Sequence, residues 1–152
     1  PTHMIGAKVT GKTLGVIGMG RIGKATAQRA HFGFGMKIVF YNRSPIDDEE
    51  TRALSATQVA TIEDVLTEAD FVSLHCPGGA ENRHLITGFA GAGLDVFAEE
   101  PKVPEALTQL ENVVLLPHLG SATEETRVAM GMKAVDNLTA FFDGKEVPDR
   151  VV

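Results

Sequence analysis

A glycine-rich segment near the start of the chain could bind phosphate groups. Gly18, Gly20 and Gly23 have the spacing G-x-G-x-x-G, directly after an apolar run and at the start of a helical pattern opened by Arg21 and Ile22. In such a turn the first glycine permits the tight bend, the second lets the backbone approach a pyrophosphate, and the third lets helix and strand pack closely. The helix then directs its N–H groups and its positive dipole end toward the phosphates. This context favours dinucleotide binding over a glycine-rich turn without a ligand.

A histidine later in the chain could exchange protons with a substrate. His118 follows the apolar run 113–116, so we expect it just past the end of a buried strand. There an imidazole can give a proton to a carbonyl oxygen and take it back in the reverse direction. Glu99 and Glu100 lie upstream, and a carboxylate bonded to one imidazole nitrogen would fix its tautomer and raise its pKa. The alternatives are a structural histidine and an exposed acidic loop.

The residues after the second predicted strand indicate which dinucleotide is bound. Enzymes that prefer NAD place Asp or Glu there, against the ribose hydroxyls. This chain has Asn42, Arg43 and Ser44. A guanidinium can pair with a 2′-phosphate, which a carboxylate would repel. We therefore expect NADP(H), with NAD(H) possible if Asp47 or Asp48 contacts the ribose instead.

Short apolar runs alternate with helical patterns along the chain. The runs predict strands and the intervening patterns predict helices, so the fold class is α/β with a doubly wound parallel sheet. A long helix closing at Gly144 has apolar residues on one side and is expected to pack on the sheet or on a partner. The predicted strands are 14–17, 38–41, 71–74 and 113–116, and the predicted helices are 22–32, a segment after Pro45, 62–69 and 123–142.

Composition limits the classes of partner. With 152 residues, of which 43% are hydrophobic, the chain can bury a full core and is expected to form one domain, residues 1–152. A net charge of −6 argues against nucleic acid. A single cysteine, Cys76, and scattered histidines predict neither a disulfide nor a metal site. A chain without an internal disulfide suits a reducing compartment, so a cytoplasmic location is expected. No apolar run approaches the ~20 residues of a membrane helix, so no membrane partner is expected.

Three motifs occur in an order that resembles a known family. The segments 15–23, 93–101 and 116–123 are similar to the nucleotide-binding domain of the D-isomer-specific 2-hydroxyacid dehydrogenases, particularly glyoxylate and hydroxypyruvate reductases. The resemblance implies a Rossmann-type domain, a homodimer, and NADP(H)-dependent reduction of a small 2-keto acid to the D-2-hydroxy acid. Its implied site residues are His118 as proton donor, Glu100 rather than Glu99 as its partner, Asp95 against the nicotinamide carboxamide, Cys76 and Pro77 beside the nicotinamide ribose, and Gly120 at the cofactor.

The same resemblance predicts missing parts. The family has a further strand–helix unit, roughly 30 residues long, where this chain runs directly from 85–87 into 88–93. That unit carries an active-site arginine, and Arg21, Arg83 and Arg127 lack its sequence context. The family also has a separate substrate domain before the position of Pro1. We expect a fragment rather than a natural or engineered remnant, and a chain without these parts is expected to bind cofactor without useful turnover.

Two other interpretations stay open. One is a non-catalytic NAD(P)-binding module that senses nucleotide or binds protein. The other is a relative of phosphoglycerate or formate dehydrogenase, which would differ mainly in the substrate domain.

Overall fold

The computed structural model describes residues 6–77, 82 and 90–150. The chain divides into two compact units between residues 85 and 86, and each is described by itself. The predicted junction near 87–88 lies outside the described residues. The single domain 1–152 stays a prediction.

The first unit is a parallel sheet with helices between its strands. Its strands lie in the order β3-β2-β1-β4, and every neighbouring pair is parallel. In the register, Val16 of β1 lies between Phe40 of β2 and Ser73 of β4. The elements are β1 Thr13–Ile17, α1 Arg21–Phe34, β2 Lys37–Tyr41, α2 Glu49–Ala53, β3 Thr57–Gln58, α3 Ile62–Glu68 and β4 Phe71–Leu74. The predicted parallel α/β sheet is confirmed.

The core of this unit lies around the two central strands. Val16, Phe40 and Val65 are at most 1% exposed. Every buried apolar residue that the structure describes belongs to the first unit. Removing this apolar surface from water holds β1 and β2 rigid, and these strands lead into the glycine turn and into Asn42.

The second unit contains a pair of parallel strands and the longest helix. Its elements are β5 Ala92–Leu94, α4 Glu105–Thr108, β6 Val113–Leu115 and α5 Glu124–Phe142, and Gly93 of β5 pairs with Val114 of β6. None of residues 90–150 is buried. The apolar side chains on one side of the long helix are 50–80% exposed: Val128, Met132, Val135, Leu138 and Phe142. The expected packing of this helix on the sheet or on a partner stays a prediction.

The observed element bounds differ from the predicted ones mostly at the ends. The helix predicted over 22–32 runs from Arg21 to Phe34 and ends in left-handed Gly35, which accounts for its stop. Three short elements, β3, β5 and α4, were not predicted from periodicity, because two to four residues are too few for a periodic pattern. Among the described residues, no helix is long and apolar enough to cross a membrane.

Candidate functional site

The three glycines of the turn are required for different physical reasons. Gly18 has φ of +93°, and a Cβ there would lie 2.8 Å from the backbone carbon of His75. A Cβ on Gly23 would lie 2.2 Å from the carbonyl oxygen of Gly18. Gly20 is different, since nothing lies within 4 Å of its missing Cβ. Packing therefore requires Gly18 and Gly23, whereas Gly20 leaves open space in front of the turn.

The N-terminus of α1 faces that space without a capping side chain. Gly20 is the N-cap, no side chain bonds to the first turn, and that turn contains no acidic residue. By contrast, Asp48, Thr61 and Thr123 cap α2, α3 and α5 with side-chain oxygens. The first N–H groups of α1 thus remain available to an anion, and the helix dipole favours negative charge there.

A cleft of about 310 Å³ lies beside this turn. Six of the predicted cofactor residues line it: Gly18, Gly20, Asn42, Arg43, Cys76 and Pro77. The other predicted residues of this unit are placed differently. Arg21 lines a second cleft, Gly23 is buried in the helix–strand contact, Ile22 is 71% exposed, and Ser44 is exposed.

Side-chain hydrogen bonds connect the end of β2 to the turn and to the far wall of the cleft. The Asn42 Oδ1 accepts from the Met19 N–H at 3.3 Å, and its Nδ2 donates to the Ser44 carbonyl at 3.0 Å. Arg43 donates to the Asn82 Oδ1 at 3.3 Å, and the Asn82 Nδ2 donates to the Pro77 carbonyl at 2.7 Å. Asn82 had no role assigned from sequence, because only the fold brings it to Arg43.

The two alternative ribose ligands are occupied elsewhere. Asp48 caps α2 through the Thr51 N–H and forms an ion pair with Lys24. The hydrogen bond from the Lys24 ammonium is the main reason that the pKa of Asp48 falls to about 2. Asp47 accepts from the Arg52 guanidinium at 2.6 Å. Neither carboxylate lines the cleft that Arg43 lines.

His75 was not among the predicted site residues, and the structure places it in the wall of the cleft. Its Nε2 lies 2.8 Å from the Ser73 Oγ. Burial lowers the pKa of His75 and so favours its neutral form. A neutral ring adds no positive charge beside the glycine turn.

In the second unit, His118 is paired with Glu100. The Nδ1 of His118 lies 2.9 Å from the Glu100 Oε2, and the other carboxylate oxygen accepts from the Phe97 N–H at 2.9 Å. The competing candidate, Glu99, lies 3.9 Å from the Lys102 ammonium instead. The carboxylate of Glu100 raises the pKa of His118, and the hydrogen bond from His118 lowers the pKa of Glu100. The contact with Glu100 therefore keeps the His118 ring protonated at higher pH than an ordinary histidine.

Asp95 holds the segment that carries His118. Its two carboxylate oxygens accept from the backbone N–H groups of Leu119 at 2.6 Å and of Gly120 at 2.8 Å. A Cβ on Gly120 would lie 3.2 Å from the Asp95 Oδ2, so glycine permits this close approach. His118 itself has φ of +55°, a left-handed conformation that costs free energy for a non-glycine residue. These contacts give Asp95 a positioning role that the sequence did not indicate, and its contact with a carboxamide stays a prediction.

Replacing Glu100 by glutamine should lower the pKa of His118. The neutral amide oxygen can still accept a hydrogen bond from the Nδ1–H of His118, but the amide no longer stabilises the imidazolium charge. A histidine-detected NMR titration of the 152-residue chain measures this shift directly. The matched control is Glu99→Gln, which removes a neighbouring charge without touching the ring. An equal shift in both variants would show that the overall negative charge of the loop, and not the contact with Glu100, sets the pKa of His118.

A family profile matches most of the chain. The family described as "D-isomer specific 2-hydroxyacid dehydrogenase, NAD binding domain" matches residues 1–89 and 87–120. The glyoxylate reductase of Thermococcus litoralis is 40% identical over 100% of this chain and 55% of its own length. The glyoxylate/hydroxypyruvate reductase B of Salmonella newport is 40% identical over 92% of this chain and 53% of its own length. The chain thus spans about half the length of the curated relatives that it matches.

A solved structure has the same fold. The holo form of D-mandelate dehydrogenase from Rhodotorula graminis superposes with a TM-score of 0.85 at 27% identity, covering 96% of this chain and 53% of that one. The resemblance stated from sequence and the Rossmann-like fold are confirmed.

The comparisons also bear on the predicted gap. The alignment with the T. litoralis enzyme extends over 188 positions, whereas the chain has 152 residues, so at least 36 positions have no counterpart here. The family match divides at 87–89, where the sequence predicted a missing strand–helix unit. The chain is therefore a partial domain.

Proposed function

Because the chain belongs to the NAD-binding domain of the D-isomer-specific 2-hydroxyacid dehydrogenases, we propose that it serves NADP(H)-dependent reduction of a small 2-keto acid, of the glyoxylate or hydroxypyruvate type, to the D-2-hydroxy acid. The observation that carries the catalytic part of the proposal is the hydrogen bond of 2.9 Å between the His118 Nδ1 and the Glu100 Oε2. The relatives named as glyoxylate reductases support the substrate class.

The first unit fits a dinucleotide. The open space at Gly20 and the uncapped start of α1 suit a pyrophosphate, which would accept from the first backbone N–H groups of the helix. Arg43 and Ser44 would bind a 2′-phosphate, and Cys76 and Pro77 would line the ribose beside the nicotinamide. When bound, the dinucleotide supplies the hydride.

His118 would supply the proton. With Nδ1 held by Glu100, Nε2 is the nitrogen that exchanges a proton with the substrate. As hydride adds to the carbonyl carbon, the C=O π electrons move to oxygen, and the imidazolium protonates that oxygen to give the hydroxyl. Glu100 stabilises the imidazolium before transfer, and Asp95 holds the backbone at 119–120 so that the ring stays in place.

Turnover in the intact gene product tests the catalytic proposal. We expect the mass of the gene product to exceed that of the 152-residue chain. The additional residues are expected to bind the substrate carboxylate. We also expect the gene product to oxidise NADPH with glyoxylate or hydroxypyruvate. A gene product that binds NADPH and reduces neither acid would contradict the reductase proposal and favour a nucleotide-sensing or protein-binding module. The homodimer remains a proposal from the family resemblance, and the cytoplasmic location remains a proposal from the cysteine content.

Arg43→Ala should remove the preference for NADPH. Loss of a charge-assisted guanidinium–phosphate pair is expected to weaken NADPH binding about tenfold or more, whereas NADH, which has no 2′-phosphate, should change less than about twofold. Calorimetric titration of the chain with both cofactors measures this. The matched control is Arg29→Ala, whose guanidinium bonds within α1 to the Ala25 carbonyl. Equal weakening of both cofactors by Arg43→Ala would contradict a 2′-phosphate contact.

A further inference from the structure

We propose that Gln58 is a positioning residue for cofactor specificity, acting through the backbone on both sides of Arg43. This inference rests on the proposed preference for NADP(H). Gln58 lies at the end of the two-residue strand β3 and was not singled out from the sequence. In the fold its side chain reaches the segment 42–46 that follows β2.

The amide of Gln58 forms three hydrogen bonds to this segment. Its Nε2 donates to the carbonyl oxygens of Asn42 at 3.3 Å and of Ser44 at 3.2 Å. Its Oε1 accepts from the Ile46 N–H at 2.9 Å. The two carbonyls belong to the residues directly before and after Arg43. Gln58 thus holds one peptide group on each side of Arg43, that between Asn42 and Arg43 and that between Ser44 and the residue after it.

This amide orientation is the one that satisfies every partner. A flipped amide would place its NH₂ against the Ile46 N–H and its oxygen against two carbonyls, turning three attractions into repulsions. Leucine or methionine could fill the same volume but could donate to neither carbonyl. The contact therefore depends on the chemistry of the amide and not only on its size.

The held segment lies at the surface of the first unit. Arg43 and Ser44 are exposed, so little packing fixes their backbone. Asn42 adds one bond within the segment, from Nδ2 to the Ser44 carbonyl, and one to the Met19 N–H. β3 is positioned by its parallel pairing with β2, where Gln58 lies opposite Phe40, which is 1% exposed. A buried strand therefore sets the position of Gln58, and Gln58 sets the backbone at Arg43.

The consequence concerns specificity. A guanidinium pairs well with a phosphate only when its two donors meet two oxygens in one plane, so its anchoring backbone must be held. Binding of NADH does not require this backbone to be held, since NADH lacks the 2′-phosphate. Loosening the segment should therefore weaken NADPH binding selectively, which a loss of general stability would not do.

A double-mutant cycle with the 152-residue chain tests this. Dissociation constants for NADPH and NADH are measured calorimetrically for the wild type, Gln58→Met, Arg43→Ala and the double variant. We expect Gln58→Met to lower the NADPH-to-NADH preference about tenfold and to change NADH binding less than about twofold. In the Arg43→Ala background, Gln58→Met should leave the preference unchanged, because the group that it positions is gone.

Each outcome has one meaning. Equal weakening of both cofactors by Gln58→Met, an unchanged preference, or the same loss in the Arg43→Ala background would overturn the positioning role. A wild type with no preference for NADPH would instead overturn the proposed cofactor, and this is visible before any variant is made. Gln109→Met, the same change at an exposed glutamine of the second unit, is the control. If Gln58→Met does not fold, Gln58→Leu also removes both donations without adding a charge, and is expected to lose the preference too.

Discussion

Gly20→Val should weaken dinucleotide binding by at least about 100-fold while the chain stays folded. The backbone at Gly20 has φ of −78° and ψ of −165°, an extended conformation that any residue adopts. Nothing lies within 4 Å of a Cβ built there, so valine meets open space in the unliganded protein. The same side chain would occupy the place that a pyrophosphate needs in order to reach the N–H groups of α1. Calorimetric titration with NADPH and a thermal melt of the same sample separate the two effects.

Two other glycines serve as comparisons for this result. Gly33→Val makes the same change near the opposite end of α1, also with no atom within 4 Å, and should bind NADPH normally. Gly23→Ala should instead lower the free energy of unfolding by about 1–3 kcal/mol, because its Cβ would overlap the Gly18 carbonyl. If Gly20→Val bound NADPH like the wild type, the cleft beside the turn would not be the pyrophosphate site.

The first unit could be predicted well because its signals are local. A glycine turn, apolar runs of four residues and helical spacing depend on neighbours in the sequence, and they placed β1, α1, β2 and β4 to within a few residues. The role of Gln58 could not be predicted this way. Its partners are 12 to 16 residues distant, and only the pairing of β3 with β2 brings them into reach.

The site in the second unit was predicted by motif and refined by geometry. Residue type alone cannot distinguish the adjacent carboxylates Glu99 and Glu100, and the family resemblance implied Glu100. The structure distinguishes them, because Glu100 contacts His118 whereas Glu99 contacts Lys102. The backbone contacts of Asp95 were likewise not predictable, since they depend on the left-handed turn at His118.

The second unit leaves many of its apolar side chains exposed to solvent. A parallel strand is normally covered on both faces and paired on both edges, yet no residue in 90–150 is buried. The composition does not predict this exposure, because the apolar residues of α5 contribute to the hydrophobic content of 43% whether they are buried or exposed. The alignment with the T. litoralis enzyme has at least 36 positions with no counterpart in this chain.

His118→Asn should reduce turnover of the intact gene product by about 10²–10⁴-fold, with little change in NADPH affinity. Asparagine is the informative replacement, because it tolerates the left-handed backbone that His118 adopts at φ of +55°. The fold around Asp95 and Gly120 should therefore survive, while the proton donor is lost. Steady-state reduction of glyoxylate and hydroxypyruvate measures the effect. His31→Asn is the control, since that ring bonds to the Met36 carbonyl in the first unit.

The pH dependence separates proton donation from a purely structural role. Only the imidazolium can donate, so the rate of reduction should fall as pH rises through the pKa of His118, which Glu100 raises above its ordinary value. Glu100→Gln removes that charge, so the fall should move to lower pH while the rate on the acid side of it is less affected. Glu99→Gln should leave the profile in place, because Glu99 pairs with Lys102. A profile that does not move in Glu100→Gln, or a His118→Asn protein that keeps turning over, would exclude this pair as the source of the proton.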